Sequence, residues 1–299
     1  MCYVKHIMHM TLGSYIQKAS HHQSKLRGPS TQGVHSVRPP SPIHWNTSPF
    51  TPATNGNLIG IPGLCGCRDT FSELAKTLPS FKVGCAPLYG HGAPLSEKGW
   101  STADMAENIV NNISFLPGKP PVIIGHSAGA KVAADVGHAF KERGWPCRVI
   151  LLDMPLTSDI QDGRKLLKIL SESVDENRLY TTKELRSILS KSIDSKMALI
   201  LSRSLLNTKG EVTVKLKALQ EQETYVFSAY PRCLPEGAEL LFGESSPYFK
   251  ALSPKVLSDL KELHSVTAWS GGHTFPFSQE NKLKLKEMIG VQRAPLLEH

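Results

Sequence analysis

Ser127 lies at the centre of the sequence Gly-His-Ser-Ala-Gly, which spans residues 125–129. The apolar run Val122–Ile124 precedes it and a segment rich in alanine follows it, which predicts a strand, a sharp turn and a helix. On such a turn the serine hydroxyl projects from the end of the sheet, and the two glycines leave room for the strand and the helix to cross closely. The pattern predicts that Ser127 is the nucleophile of a serine hydrolase.

A serine nucleophile needs a base, and His273 is the candidate because it follows the apolar run Val266–Trp269 late in the chain. The glycine pair at 271–272 allows the loop to bend and bring the imidazole to Ser127. We expect His273 to take the proton of Ser127 and to return it to the leaving group. His126, directly before the nucleophile, is expected to support the turn instead.

Two carboxylates are candidates for the acid that orients this histidine. Asp153 ends the apolar run Val149–Leu152, and Glu244 follows the run Glu239–Phe242. Both stand at the carboxyl ends of predicted strands, where catalytic groups gather in open α/β sheets. Their positions along the chain leave both open.

An oxyanion hole needs two N–H donors directed at the negative charge that develops in the transition state. The first should be the backbone N–H of Ala128, the residue directly after the nucleophile. The second should come from the glycine-containing loop that follows the apolar run Leu58–Ile61. Within that loop we predict the N–H of Leu64, with Cys65 as the next candidate.

Short apolar runs alternate with amphipathic segments from residue 57 onward. The runs are Leu58–Ile61, Lys82–Ala86, Val122–Ile124, Val149–Leu152, Glu239–Phe242 and Val266–Trp269, and the predicted helices cover about 69–78, 102–115, 128–143, 251–262 and 278–289. Runs of this length suit strands that are covered on both faces, as in a parallel sheet. With the serine turn, the alternation predicts an α/β-hydrolase fold, with a mostly parallel central sheet flanked by helices.

Residues 157–229 interrupt this alternation and predict two or three helices. Thr181 and Glu184 have the spacing of a capping box at the start of one of them. A helical insertion at this point of the fold is expected to form a lid, which excludes water from the active site and shapes the substrate channel.

The two ends of the chain differ in amino-acid composition from the predicted hydrolase domain, which covers residues 57–292. Residues 1–56 are rich in histidine and proline and contain five Lys or Arg and no Asp or Glu, whereas the whole chain carries a net charge of +8. This composition favours a disordered leader or linker, with an organelle transit segment as the alternative. Residues 293–299 are expected to be a tail with the remnant of an expression tag.

The composition also limits the cellular compartments and the classes of partner that fit this protein. The six cysteines are scattered and lack the paired spacing of a zinc site, so we expect reduced thiols and a cytoplasmic location, or an organellar one if residues 1–56 are a transit segment. No apolar run approaches the length of a membrane span. Basic residues are not clustered with aromatic residues, which argues against nucleic-acid binding.

The sequence resembles the thioesterase domains of nonribosomal peptide, polyketide and fatty-acid synthases. Four segments carry the resemblance: the Ile-Pro-Gly-Leu loop at 61–64, Ala-Pro-Leu-Tyr-Gly-His-Gly at 86–92, the serine pentapeptide, and the block 140–153, which ends Leu-Leu-Asp. The resemblance implies an acyl or peptidyl chain delivered on the phosphopantetheine arm of a carrier protein, with no metal or cofactor of the enzyme's own. In many synthase-linked members the acid is the residue at Asp153, whereas in stand-alone editing members it lies near Glu244. The resemblance favours Asp153.

Two other functions fit the same residues. A general carboxylesterase or lipase would share the serine turn and the Gly-His-Gly sequence at 90–92. A non-catalytic ligand-binding protein would share the fold, although the presence of a serine, a histidine and two candidate acids weighs against it.

Overall fold

The computed structural model describes residues 43–45, 55–67, 69–91, 101–113, 119–156, 161–228 and 234–290. Within these residues, seven strands form one sheet in the order β1-β3-β2-β4-β5-β6-β7. Their bounds are β1 His44–Trp45, β2 Asn57–Ile61, β3 Lys82–Cys85, β4 Val122–His126, β5 Arg148–Leu152, β6 Glu239–Gly243 and β7 Ser265–Trp269. Strands β2 to β7 are parallel, and β1 pairs antiparallel with β3. The prediction of an α/β-hydrolase fold is confirmed.

Helices follow most of the parallel strands. The helices described are α1 Ser72–Thr77, α2 Thr102–Asn112, α3 Ala128–Glu142, α4 Gln161–Ser173, α5 Thr182–Leu189, α6 Ser195–Ser204, α7 Leu216–Glu221, α8 Glu223–Ser228, α9 Pro247–Lys250, α10 Pro254–Leu263 and α11 Gln279–Gly290. The predicted segment 251–262 corresponds to α10, and the short α9 before it was not predicted. Ser246 and Ser253 are the N-caps of α9 and α10, and each precedes a proline at the first helical position.

The short edge strand β1 lies within the segment that the composition indicated as a leader. Ile43 is buried in the main core, and the register places His44 opposite Cys85. A strand of two residues is too short to show a periodicity of its own, so its pairing depends on the neighbouring strand β3. Asn55 and Gly56 are also described, and the Asn55 N–H donates to the Ser80 carbonyl at 2.9 Å. Residues 1–42 and 46–54 of the predicted leader lie outside the described residues, as does the predicted tail 293–299.

The central strands are apolar on both faces because helices cover both sides of the sheet. Every residue of β2 and β4 is buried, and the register pairs Ile59 with Ile123 in the middle of the sheet. Helix α3 packs closely against β4, where a Cβ on Gly125 would lie 2.6 Å from the Cβ of Ala133. This close contact holds the residue between them, Ser127, at the carboxyl end of the sheet.

The insertion between β5 and β6 contains five described helices, α4 to α8, so the prediction of two or three was too low. The short α7 and α8 meet almost end to end, and six residues give no clear helical period. The predicted capping box is present: Thr181 Oγ1 accepts from the Glu184 N–H, and the Glu184 carboxylate accepts from the Thr181 N–H. Buried side chains of the insertion belong to the same hydrophobic cluster as the sheet core, among them Leu167, Leu170, Leu185, Leu189, Ala198 and Leu201.

The four cysteines in the described part of the chain are free. Burial raises the pKa of Cys65 and of Cys147 to about 12, so both thiols stay protonated near neutral pH. None of the described helices has the length and apolar character needed to cross a membrane.

Candidate active site

The turn between β4 and α3 holds Ser127 in a strained backbone conformation. Its φ is 53° and its ψ is −122°, a region that non-glycine residues rarely occupy. The Ser127 N–H donates to the carbonyl of Leu152 at 2.9 Å, which ties the turn to the end of β5. Strain of this kind is expected of the sharp turn predicted from the sequence, because it projects the hydroxyl away from the sheet.

Both glycines of the pentapeptide are required by close backbone contacts. A Cβ on Gly129 would lie 2.3 Å from the carbonyl oxygens of Ile61 and Pro62, and a Cβ on Gly125 would lie 2.4 Å from the carbonyl oxygen of Gly129. Any side chain at either position would push α3 away from the sheet. The first turn of α3 therefore lies directly on the loop that follows β2.

Asp153 and His273 meet at the carboxyl end of the sheet. The Nδ1 of His273 lies 2.6 Å from Oδ2 of Asp153, which is fully buried. Because an ionised carboxylate only accepts, Nδ1 carries the hydrogen and Nε2 is left with its lone pair. This is the tautomer that a base needs in order to take a proton from a serine hydroxyl.

The other candidate acid, Glu244, directly follows β6 and is not the carboxylate that contacts His273. Its backbone N–H donates to the carbonyl of Trp269 at 2.8 Å, and its side chain is exposed. The carboxylate that contacts His273 is that of Asp153. Of the two acids that the sequence left open, the structure therefore brings Asp153 together with the predicted base.

The sequence did not indicate three further residues around the Asp153 carboxylate and the His273 ring. The Ser246 hydroxyl donates to Oδ2 of Asp153 at 2.5 Å, and the Gly243 N–H donates to Oδ1 at 3.0 Å. Tyr248 packs edge-on against the His273 ring, with centroids 4.8 Å apart. The sequence signal available for Ser246 was its position before Pro247, which predicts a helix start but not a contact with Asp153.

His126 joins the serine turn to the loop of the predicted base. Its Nε2 lies 2.9 Å from the carbonyl oxygen of His273, so Nε2 donates, and the two rings stack at 4.8 Å. Burial and the neighbouring His273 ring hold the pKa of His126 well below its usual range, so the ring is neutral near pH 7. The expectation that His126 supports the turn fits this geometry.

The loop after β2 lies against the nucleophile. A Cβ on Gly63 would lie 3.0 Å from the Cβ of Ser127, which places the adjacent residue Leu64 beside the serine. The N–H of Cys65 already donates to Nε2 of His91 at 2.9 Å. Of the two donors considered for this loop, the geometry therefore favours Leu64. The N–H of Ala128 lies in the first turn of α3, where backbone donors have no partner within the helix.

The alpha/beta hydrolase family model matches residues 58–282, which is more than half of the chain. The chain belongs to the alpha/beta hydrolase family. The match spans the strand and loop of the predicted oxyanion hole, the serine turn, the insertion and His273. No curated protein matches this hydrolase in sequence.

Solved structures of several hydrolases share the fold. A marine microorganism esterase has a TM-score of 0.62 at 21% identity, over 80% of this chain and 96% of that one. A thioesterase domain from the curacin biosynthetic pathway has a TM-score of 0.54 at 19% identity, over 81% and 92%. An E-2-(acetamidomethylene)succinate hydrolase has a TM-score of 0.54 at 16% identity, over 77% and 89%. At such identities the similarity establishes the fold alone.

The site of this hydrolase combines a strained serine, a histidine with its lone pair on Nε2 and a buried aspartate. Within the described part of the chain, no hydrogen bond joins the Ser127 hydroxyl to the His273 ring. Such bonds are often long before substrate binds and shorten in the reacting complex. The arrangement suits acyl transfer through a serine nucleophile, with the developing oxyanion between α3 and the loop after β2.

Proposed function

We propose that the chain is a serine thioesterase, in which Ser127, His273 and Asp153 are the nucleophile, the base and the orienting acid. The assignment of this triad is supported by the 2.6 Å contact between His273 Nδ1 and the buried Asp153 carboxylate. This contact holds the base in its active tautomer at the carboxyl end of the sheet, where the strained Ser127 also lies.

The chemistry proceeds in two acyl-transfer steps. Ser127 Oγ attacks the thioester carbonyl while His273 Nε2 takes the hydroxyl proton, and collapse of the tetrahedral intermediate breaks the carbon–sulfur bond. The leaving thiolate takes that proton from His273, and an acyl-enzyme remains on Ser127. Water, or an internal hydroxyl or amine of the chain, then attacks the acyl-enzyme while His273 Nε2 takes its proton. The ester bond to Ser127 breaks, His273 returns the proton to Ser127 Oγ, and a free acid or a ring is released.

The N–H groups of Ala128 and Leu64 stabilise the oxyanion in both steps. Each is a backbone donor held by close packing, so little reorganisation is needed as charge develops. Asp153 holds the His273 ring through Nδ1 and stabilises the imidazolium that forms in each step. This scheme requires no metal or cofactor of the enzyme's own.

The thioester assignment is supported by the resemblance to synthase thioesterases, above all the block that ends Leu-Leu-Asp at 153. In that family the acid often follows this strand, and here the aspartate at this position contacts His273. The substrate we propose is an acyl or peptidyl chain on the phosphopantetheine arm of a carrier protein. The solved structures that share the fold include both a thioesterase domain and an esterase, so substrate preference has to be measured.

The decisive experiment compares matched substrates that differ only at the scissile atom. We expect kcat/KM for an acyl-pantetheine thioester to exceed that for the oxygen ester of the same acyl chain, with chain length varied across the panel. Ser127→Ala is the control and should abolish turnover of both. Equal or faster oxygen-ester turnover would assign the site to a general carboxylesterase.

A fluorophosphonate probe tests the catalytic role independently of the substrate. We expect covalent labelling of wild-type Ser127 and none of the Ser127→Ala variant, because only an activated serine attacks the probe. A folded wild-type protein that resists labelling would be a ligand-binding member of the fold that performs no catalysis.

A further inference from the structure

His91 is a buried histidine that the proposed triad does not use. It follows β3 in the Gly-His-Gly sequence and is 3% exposed. Its Nε2 accepts the N–H of Cys65 at 2.9 Å, and its Nδ1 lies 3.0 Å from the carbonyl oxygen of Tyr89. Because Nε2 accepts, the ring hydrogen is on Nδ1 and is donated to Tyr89. Both nitrogens of a neutral ring therefore have partners.

Burial keeps this ring neutral over the physiological range. It lowers the pKa of His91 to about 4, so Nε2 keeps its lone pair at neutral pH. Protonation would place a second N–H against the N–H of Cys65, and the contact would be lost.

The residue that His91 holds belongs to the loop of the predicted oxyanion hole. Cys65 has a φ of 61°, in the left-handed region, and the Gly66 N–H donates to the Gly63 carbonyl at 2.9 Å to close a tight turn. Leu64 stands between Gly63, which lies against Ser127, and the anchored Cys65. The hydrogen bond to His91 thus fixes the direction in which the Leu64 N–H points.

The same segment also contacts the insertion. The carbonyl oxygen of Gly90 accepts the Lys215 N–H at 2.8 Å, and His91 forms an antiparallel bridge with Val214. Lys215 is the N-cap of α7. Residues 89–91 therefore contact the oxyanion loop through a side chain and the lid segment 213–215 through the backbone.

We propose that His91 is a positioning residue, which orients the Leu64 N–H for the oxyanion and links the oxyanion hole to lid segment 213–215. The inference rests on the proposed function, because it gives the Leu64 N–H its role. It adds a dependence of catalysis on the lid that the triad alone does not contain.

Two substitutions separate the hydrogen bond from the packing. His91→Phe fills the buried space without an acceptor, and His91→Gln restores an acceptor for the Cys65 N–H. We expect His91→Phe to lower kcat about ten- to hundred-fold with KM within about twofold, since a misplaced donor affects the transition state more than ground-state binding. His91→Gln should recover most of that loss.

His264 supplies the matched control. It is a partly buried histidine at the opposite end of β7 from the His273 loop. His264→Phe and His264→Gln should leave kcat within about twofold of wild type, because they do not contact the site. A similar loss of kcat in the His91 and His264 series, or no rescue by His91→Gln, would overturn the positioning role.

Backbone amide exchange tests the anchor without any substrate. In His91→Phe, exchange of the Cys65 amide should rise at least tenfold while that of β4 amides is unchanged. If the wild type turns over neither thioester nor ester, the proposed function fails and this measurement still decides whether His91 holds the loop. Unchanged Cys65 exchange would overturn the inference while leaving the proposed thioesterase standing.

The link to the lid is tested at Lys215. Its φ of −83° suits proline, so Lys215→Pro removes the N–H that Gly90 accepts, whereas Lys215→Ala removes only an exposed side chain. We expect Lys215→Pro to lower kcat several-fold and Lys215→Ala to have no effect. In the His91→Phe background the proline should cost less, because the link is already broken. Additive losses would show that the lid contact and His91 act independently.

Discussion

At the residue scale, the Asp153 carboxylate is held by three donors that come from two parts of the chain, the turn 243–246 and the loop of His273. His273 Nδ1 and the Ser246 hydroxyl share Oδ2, and the Gly243 N–H occupies Oδ1. A buried carboxylate needs such partners because an unpaired charge away from water is costly. The same partners fix the plane of the carboxylate, and with it the direction of the histidine.

The choice of acid is tested by two alanine substitutions. Asp153→Ala should lower kcat by roughly 10³ to 10⁴, since the histidine loses the partner that sets its tautomer and stabilises its imidazolium. Glu244→Ala should change kcat by less than about twofold, because among the described residues its exposed side chain makes no hydrogen bond or ion pair with the ring. Steady-state kinetics on one acyl-pantetheine substrate measures both, and the opposite ranking would reassign the acid.

Ser246 offers a subtler test, since its hydroxyl contacts the acid and not the base. Ser246→Ala should lower kcat roughly ten- to hundred-fold with little change in KM, as expected when a hydrogen bond to a buried charged group is lost. Ser253→Ala is the matched control, because both serines cap a helix that begins with proline but the exposed Ser253 side chain accepts from the Val256 N–H instead of donating to Asp153. Equal effects of the two substitutions on kcat would mean that Ser246 acts only as a cap.

At the element scale, the site depends on how closely α3 approaches the loop after β2. Gly129→Ala should destabilise the protein by about 1–3 kcal/mol, because its Cβ would collide with two backbone carbonyls that cannot move separately. Its kcat should also fall, since displacement of α3 moves the Ala128 N–H. Urea unfolding followed by circular dichroism measures the first effect, and turnover measures the second.

Gly290 at the end of α11 is the control for that substitution. A Cβ there would meet no other atom within 4 Å, so Gly290→Ala should leave stability within about 1 kcal/mol of wild type. If the two alanines were equally tolerated, the close crossing would not be needed for the turn.

At the scale of the whole molecule, two buried neutral histidines make stability depend on pH. The folded-state pKa of His91 is about 4, below the ordinary 6.5, and that of His126 is lowered by burial as well. Between these values the unfolded chain binds protons that the folded chain does not, so stability is full above pH 6.5 and falls as pH drops toward 4. Two such groups together contribute a slope of up to about 3 kcal/mol per pH unit.

Urea unfolding at a series of pH values from 7.5 to 4.5 measures this slope. His91→Phe should flatten it by up to half, because one of the two protons is no longer taken up on unfolding. His264→Phe provides the comparison, since burial lowers the pKa of that half-buried histidine as well. A slope that is unchanged in His91→Phe would mean that His91 titrates alike in both states.

Some elements of the fold could be predicted from the sequence and others could not. The run Val122–Ile124 and the alanine-rich segment after Ser127 predicted β4 and α3 within about two residues, because a buried strand and a packed helix each repeat a local pattern. The two-residue strand β1 and the paired short helices α7 and α8 have no such repeat, and they depend on neighbours for their form.

The sequence alone predicted the fold, the candidate nucleophile Ser127 and the candidate base His273, because each is marked by neighbours within a few positions along the chain. Only the tertiary structure placed Asp153 against His273, 120 residues away, and His91 against Cys65, 26 residues away. No local pattern records such contacts, since they arise where parallel strands end side by side at one edge of the sheet. The role of Ser127 could therefore be predicted from its own segment. The contacts that Asp153 and His91 make are formed only when the strands assemble, so they could not.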